Sequence, residues 1–149
     1  AFGFQNPALA RELAAEMYDA GVDVIYVAAG SSGLGVLEAA VEQSSDAGEL
    51  WVIGADSDWS LDVTVEEREH VLVSMFKRFD VAVSAVVEAY ESAELRESDS
   101  FSFGVVDDAV GYTDTVGNLD PATVQRLEAL RAALADGSIV VDDVLEYSG

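Results

Sequence analysis

The sequence contains no cysteine, and its 149 residues include one histidine, His70, and one lysine, Lys77. The absence of cysteine excludes disulfide bonds and thiolate metal sites. A single histidine excludes a histidine-rich metal site, and we therefore expect no metal ion and no other cofactor. No apolar run approaches the roughly 20 residues that a membrane-spanning helix needs, and no signal peptide is recognisable within these residues.

Positive charge is also scarce. Seven basic residues face 29 carboxylates, so the formal net charge is -22 and the sequence pI is about 4.1. Such a surface repels nucleic acid and anionic membranes, and we expect neither as a partner. Because the charge is spread along the chain and lysine is nearly absent, we predict a halophilic origin and a fold that depends on salt to screen self-repulsion. An ordinary acidic domain remains the alternative.

The hydrophobic content is nevertheless high, at 50% of the residues. This content argues against disorder, and the length suits one domain with a substantial core. Helices are predicted over residues 7–20, 33–43, 80–92 and 121–136 from the spacing of their apolar residues. The first and last of them also begin with an N-cap residue followed by proline. Strands are predicted over 1–4, 22–28, 50–54, 71–75, 101–106, 110–112 and 139–141.

The alternation of helices and strands predicts an α/β fold. We expect residues 1–149 to form a single domain with a mostly parallel sheet and helices on both faces. The polar stretch 57–69 is predicted to be irregular, and the acidic, serine-rich stretch 92–100 is predicted to be a connector.

Three segments follow successive predicted strands, where parallel sheets bind ligands. Glycines from Gly30 to Gly35 allow close backbone approach, Asp56 and Asp58 offer acceptors for paired hydroxyls, and Lys77 offers a donor. Each feature also has a purely structural explanation: turn glycines, aspartates that cap a turn, and a solvated lysine. The arrival of all three at neighbouring strand ends favours a ligand site.

The same residues do not identify an enzyme. Gly30, Gly33 and Gly35 with a later acidic residue resemble a dinucleotide-binding fingerprint, but their spacing is the reverse of the usual order. The sequence contains no nucleophile elbow, no phosphate-binding P-loop and no acid–base pair with histidine, so we predict no catalytic residues. A domain of an oxidoreductase that binds a nucleotide cofactor remains the alternative from another functional class.

In their order and spacing, the three segments resemble the basic membrane protein (BMP) family of solute-binding lipoproteins, which are purine-nucleoside receptors of ABC importers. The resemblance covers most of residues 4–141. It rests on three stretches: Gly21-Val22-Asp23-Val24-Ile25-Tyr26 leading into Ala28-Ala29-Gly30-Ser31-Ser32-Gly33-Leu34-Gly35-Val36, Trp51-Val52-Ile53-Gly54-Ala55-Asp56-Ser57-Asp58, and Ser74-Met75-Phe76-Lys77-Arg78-Phe79-Asp80.

The resemblance implies one lobe of a type I periplasmic-binding-protein fold, with ligand held between two lobes. By this resemblance we expect the chain to correspond to the C-terminal lobe, without the N-terminal lobe. Tyr26 is then expected to stack on the purine, Gly30 to give a backbone hydrogen bond, Asp58 together with Asp56 to accept from the ribose hydroxyls, and Lys77 to donate to the ribose.

Further expectations concern the protein's surroundings. The resemblance implies a purine nucleoside as ligand, the permease of an ABC transporter as partner, and an extracytoplasmic, membrane-anchored parent protein. A sugar receptor or a ligand-sensing regulator with the same two-lobe fold remains an alternative at this stage. Tyr26 also has a structural explanation, as an aromatic residue of a core strand.

Overall fold

The computed structural model describes residues 4–44, 48–93, 96 and 100–141. The helices are α1 (Pro7–Asp19), α2 (Gly33–Gln43), α3 (Val65–Arg68), α4 (Phe79–Glu91) and α5 (Pro121–Ala135). The strands are β1 (Val24–Tyr26), β2 (Trp51–Gly54), β3 (Val71–Lys77) and β4 (Val110–Thr113). Two short 3-10 turns cover Gly30–Ser32 and Trp59–Leu61.

The four strands form one mixed sheet in the order β1-β2-β3-β4. The first three run parallel, and β4 runs antiparallel to β3 with Lys77 opposite Val110. The predicted α/β fold with a mostly parallel sheet is therefore confirmed. Since β1, β2 and β3 are parallel, their carboxyl ends share one edge of the sheet.

The predicted capping signals explain where α1 and α5 begin and end. The Asn6 side chain accepts from the Leu9 amide before Pro7, and Asp120 accepts from the Ala122 and Thr123 amides before Pro121. Gly21 has φ +94 just beyond α1, and Gly137 has φ +77 just beyond α5. A residue with a side chain rarely adopts this left-handed conformation, which is why glycine follows these helices.

The buried core lies where α1 and α2 pack against each other and against β1 and β2. It consists of Ala14, Tyr18, Ile25, Val27, Val36, Leu37, Ala39, Ala40, Val52 and Val71. A Cβ on Gly35 would lie 1.9 Å from the carbonyl oxygen of Pro7, so glycine is what lets the two helices approach so closely. The Tyr18 hydroxyl donates to the Trp51 carbonyl at 3.1 Å, and burial raises the pKa of Tyr18 to about 12.

Two predicted strands are wrong. Residues 101–106 form a loop that leads into a turn. The Gly104 amide donates to the Asp107 carboxylate at 2.8 Å, so a local hydrogen bond takes the place of one to a partner strand. Residues 139–141 are not a strand either, since the Ile139 amide donates to the Ala133 carbonyl at 3.0 Å and thereby completes the end of α5.

The segment 57–69, predicted to be irregular, contains a 3-10 turn and the short helix α3. Helix α3 begins with a capping box in which Thr64 and Glu67 exchange side-chain-to-backbone hydrogen bonds. Such a box is visible in a sequence as threonine followed three residues later by glutamate, and the prediction overlooked it.

Two further predictions fall at least partly outside the described residues. The strand end at 1–4 lies outside them except for Phe4, which is in a turn, and the connector lies outside them at residues 94–95 and 97–99. Among the helices of the described ranges, none combines the length and apolar character needed to cross a bilayer.

Candidate functional site

Three of the predicted ligand residues follow or end neighbouring parallel strands. Gly30 lies four residues beyond β1, Asp56 two residues beyond β2, and Lys77 is the last residue of β3. Because these strands are parallel and adjacent, the three residues lie along one edge of the sheet. The fold therefore brings together segments that are far apart in the chain.

Asp56 and Lys77 form an ion pair at this edge. The Lys77 ammonium donates to Asp56 Oδ1 at 2.8 Å, and the Lys77 backbone amide donates to the Asp56 carbonyl at 3.3 Å. The hydrogen bond from Lys77 to Asp56, and then the charge of Asp56, raise the pKa of Lys77. Their side chains remain 49% and 53% exposed, so polar atoms of both can reach a ligand.

The backbone at Asp56 is unusual. Its φ is +74, a left-handed conformation that non-glycine residues seldom adopt, although aspartate tolerates it better than most. Residues held in such conformations cluster at binding and active sites, where surrounding contacts compensate for the strain. Other interactions of the loop after β2 must therefore compensate for this conformation, in which the Asp56 carboxylate contacts the Lys77 ammonium.

Tyr26 ends β1, at the same edge of the sheet, and pairs with Ile53 of β2. Its side chain is 52% exposed, so it is a surface aromatic rather than a core one. It is among the charged or polar groups that raise the pKa of Lys77, after the hydrogen bond and the charge of Asp56, and so lies within electrostatic range of the ammonium. The combination of an exposed aromatic ring, a carboxylate and an ammonium suits a ligand with a flat ring and hydroxyl groups.

Gly30 occupies the turn between β1 and α2. Its φ is +54, and a Cβ there would lie 3.2 Å from the Phe4 carbonyl oxygen, so both conformation and space favour glycine. Together with Ser31, Ser57 and Trp59 it lines a pocket of about 220 Å³. Gly30 is thus close to the loop that carries Asp56.

Asp58 is oriented differently. Its Oδ1 accepts from the Ser60 amide at 3.0 Å and from the Ser60 hydroxyl at 2.6 Å, while its Oδ2 accepts from the Thr113 and Thr115 hydroxyls. Partial burial acts to raise the pKa of Asp58, but the hydrogen bonds from Ser60, Thr115 and Thr113 outweigh it and leave the pKa below its usual value. The structure therefore groups Asp58 with Thr113 and Thr115 rather than with Lys77.

Trp59 holds the same loop from its other side. Its indole N–H donates to the Ala55 carbonyl at 2.9 Å, and its backbone amide donates to Ser74 Oγ at 3.1 Å. A Cβ on Gly33 or on Gly54 would lie within 2.2 Å or 2.7 Å of the indole ring, so the ring packs on bare backbone at both places. The prediction had assigned no role to this residue.

The sequence prediction also missed Thr113 and Thr115. They follow or end β4 and contact Asp58 across more than 50 positions of the chain. Two threonines near the end of a strand are common for reasons of β propensity alone, so no sequence signal distinguishes them. Only the placement of β4 beside β3 brings them to Asp58.

The site offers hydrogen bonding and stacking. No group of three or more histidine or carboxylate side chains that could hold a metal ion occurs in the part of the chain that the structure describes. The acceptor, the donor and the aromatic ring are those expected for recognition of a hydroxylated ring compound.

Three curated relatives match most of this chain. The chain is 30% identical over 140 residues to the "CD4+ T-cell-stimulating antigen" of Listeria monocytogenes, covering 89% of this chain and 39% of that protein. It is 35% identical to Basic membrane protein D of Borreliella burgdorferi, covering 72% of this chain and 30% of that protein. It is 28% identical to the ABC transporter nucleoside-binding protein BmpA of Lactococcus lactis, covering 93% and 41%.

Solved structures share the fold. A solute-binding protein of an ABC transporter system from Aeropyrum pernix matches with a TM-score of 0.72 at 21% identity, covering 97% of this chain and 46% of that one. A transcriptional activator of the comK gene from Bacillus halodurans matches with a TM-score of 0.77 at 18% identity, covering 95% and 47%. The chain thus spans roughly two fifths or less of the curated relatives described above and just under half of these structures. At 21% and 18% identity, the two structural matches establish the fold alone.

A family model described as "ABC transporter substrate-binding protein PnrA-like" (Bmp) matches residues 2–143, nearly the whole chain. The model describes substrate-binding proteins, so the predictions of BMP-family membership and of a non-enzymatic chain are confirmed. The chain belongs to the Bmp family of PnrA-like substrate-binding proteins of ABC transporters.

Proposed function

We propose that this chain is the C-terminal lobe of an extracytoplasmic receptor that delivers purine nucleosides to an ABC importer. Family membership supports solute binding and an ABC transporter as partner. One relative, from Lactococcus lactis, carries the name nucleoside-binding protein, which favours a nucleoside over other solutes. The permease of the transporter is the implied protein partner.

The Asp56–Lys77 pair is the observation that carries the proposal. Its two side chains meet at 2.8 Å at the ends of adjacent strands and stay about half exposed. A vicinal diol such as that of ribose can donate one hydrogen bond to the carboxylate and accept one from the ammonium. Charged partners make these hydrogen bonds stronger than neutral ones would be.

The remaining predicted residues complete the recognition of a nucleoside. The exposed ring of Tyr26, at the end of the neighbouring strand β1, stacks on the purine base. Gly30 supplies a backbone hydrogen bond from a turn that a side chain would crowd. We assign the acceptor role to Asp56 rather than Asp58, because the carboxylate of Asp58 already accepts from Ser60, Thr113 and Thr115.

A second lobe completes the site in this proposal. The curated relatives described above are more than twice as long as the part that this chain matches, which leaves ample length for an N-terminal lobe. Ligand held between two lobes is shielded from water on both sides, which strengthens its hydrogen bonds. The receptor is anchored at the outer face of the membrane, where its importer acts.

Calorimetric titration of the two-lobe receptor with inosine, guanosine, adenosine and free ribose tests the proposal. Asp56→Ala and Lys77→Ala each remove a hydrogen bond to a charged group, and we expect each to weaken nucleoside binding by roughly ten- to hundredfold. Lys77→Arg is also expected to weaken binding, because a planar guanidinium does not replace a compact ammonium. Asp19→Asn is the matched control for Asp56→Ala, because it also removes one negative charge, at the end of α1. This variant should bind nucleosides normally.

Three outcomes would count against the proposal. Wild-type affinity in Lys77→Arg would make Lys77 an ordinary solvated charge. Binding of ribose or another sugar as tight as that of the nucleosides would identify a sugar receptor and leave Tyr26 without a role in stacking. Absence of any nucleoside binding by the wild-type receptor would reject nucleosides as the ligand.

A further inference from the structure

We propose that Asp58 is a positioning residue, which fixes the loop carrying Asp56 by tying it to Thr113 and Thr115 at the end of β4. Asp58 itself does not touch the ligand. This inference rests on the proposed function only for its effect on binding. Its structural part concerns the ligand-free chain and can be tested there.

The contacts of Asp58 divide into a local set and a distant set. Through Oδ1 the carboxylate caps the 3-10 turn Trp59–Leu61, accepting from the amide and the hydroxyl of Ser60. Through Oδ2 it accepts from Thr113 at 3.4 Å and from Thr115, whose hydroxyls also bond each other at 2.7 Å. An aspartate that merely capped its own turn would need only the local set.

The distant set joins the loop after β2 to β4, the last strand in the order of the sheet. Thr113 pairs with Ser74 across β3 and β4, and side chains of paired residues lie on the same face. Ser74 is buried and its Oγ accepts from the Trp59 amide at 3.1 Å. The loop after β2 therefore lies over both β3 and β4 and is attached to each.

This attachment bears directly on the geometry of the ion pair. Asp56 is two residues before Asp58 and has φ +74, a conformation that surrounding contacts must maintain. The Asp56 carbonyl accepts from the Lys77 amide at 3.3 Å, near the long limit for a hydrogen bond. Because that bond is long, we infer that the contacts of Asp58, in addition to those of Trp59, keep the aspartate and the lysine in register.

Amide hydrogen exchange of the 149-residue chain tests the inference without any ligand. The Lys77 amide, bonded to the Asp56 carbonyl, reports on the loop. The next amide, that of Arg78, donates to the Ala109 carbonyl at 2.7 Å and serves as the internal reference. For Asp58→Ala and for Thr115→Val we expect protection of the Lys77 amide to fall about tenfold while that of Arg78 changes little, because a charged hydrogen bond is lost from the loop alone.

Thr123→Val is the matched control. The Thr123 hydroxyl donates to the Asp120 carboxylate at the start of α5, so this variant loses the same kind of bond elsewhere in the chain. It should leave the Lys77 amide protected. If Asp58→Ala fails to fold, Thr115→Val alone decides, since it removes an exposed hydroxyl and leaves a β-branched side chain in its place.

The outcomes separate this inference from the proposed function. Unchanged protection of Lys77 in Thr115→Val, or equal loss at Lys77 and Arg78, would overturn the positioning role. If protection falls as expected, inosine titration of the two-lobe receptor should show about tenfold weaker binding for Thr115→Val. Normal inosine affinity in a variant with a loosened loop would overturn the link to binding, whereas a wild-type receptor that binds no inosine would reject the nucleoside proposal and leave the exchange result intact.

Discussion

The first and second halves of the chain are stabilised by different means. Every residue of the buried core cluster in the described part of the chain lies between Ala14 and Val71. Helices α4 and α5, by contrast, contain no buried residue, and α4 exposes Phe79, Val83, Val87 and Tyr90. Apolar burial is the main source of folding free energy, so most of that free energy comes from the first half.

Besides the pairing of β3 with β4, the second half carries several polar contacts on its surface. Arg78 pairs with Asp80 at 2.7 Å and with Asp108 at 3.2 Å, and Arg131 of α5 pairs with Asp108 at 2.7 Å. The Tyr112 hydroxyl donates to Glu128 at 2.8 Å. Exposed ion pairs are worth little and weaken in salt, so we infer that α4, β4 and α5 open more easily than the core around α1 and α2.

The largest expected effect is that of Leu37→Ala. Leu37 is 0% exposed, and its loss leaves a cavity between α2 and the sheet. We expect the free energy of unfolding to fall by about 2–5 kcal/mol. Urea unfolding followed by circular dichroism measures it. Leu130→Ala in α5, where the side chain is 41% exposed, is the control and should cost clearly less. Equal costs would contradict the contrast between the halves.

Salt should stabilise the whole chain. The chain has 29 carboxylates and seven basic residues, so salt weakens more repulsions between carboxylates than attractions between opposite charges. We expect the thermal midpoint to rise by several degrees between about 0.1 M and about 1 M KCl, at roughly 2–4 °C for each kcal/mol gained. Scanning calorimetry at both concentrations checks this. An unchanged midpoint would count against the predicted halophilic origin.

The smallest expected effect is that of Asp108→Asn. Asparagine tolerates the φ of +54 at this position, so the substitution removes the charge that both arginines contact without adding backbone strain. We expect a loss below about 1 kcal/mol in the free energy of unfolding at low salt. The loss should shrink in about 1 M KCl, where ion pairs are screened. Urea unfolding at both salt concentrations measures it, and a loss that persists in salt would mean that Asp108 acts by shape rather than by charge.

The first half was also predicted better than the second. Its helices and strands carry strong local signals, such as Asn6-Pro7 and Gly21 around α1, and all of its predicted elements from residue 7 to residue 54 are present. The two wrong strands, 101–106 and 139–141, both lie in the second half. Both are rich in β-branched or aromatic residues, but such residues form a strand only where a partner strand accepts their amides.

The candidate site divides in the same way. Asp56 and Lys77 could be proposed from sequence because both follow or end apolar strands, and parallel strands place such residues together. The different roles of Asp56 and Asp58 could not be predicted from sequence, since both residues closely follow β2 and lie two positions apart. What separates them is the position of Thr113 and Thr115, more than 50 positions away.

By itself the sequence determined the fold class, the limits of the long helices and the family resemblance. These depend on hydrophobic periodicity, on capping residues and on short motifs, all of which act over a few neighbouring residues. Only the tertiary structure decided that β4 runs antiparallel beside β3, that Asp58 faces Thr113 and Thr115 at the end of β4, and that Asp56 faces Lys77. Those choices depend on contacts between residues distant in sequence, which form only when the sheet brings the strand ends together.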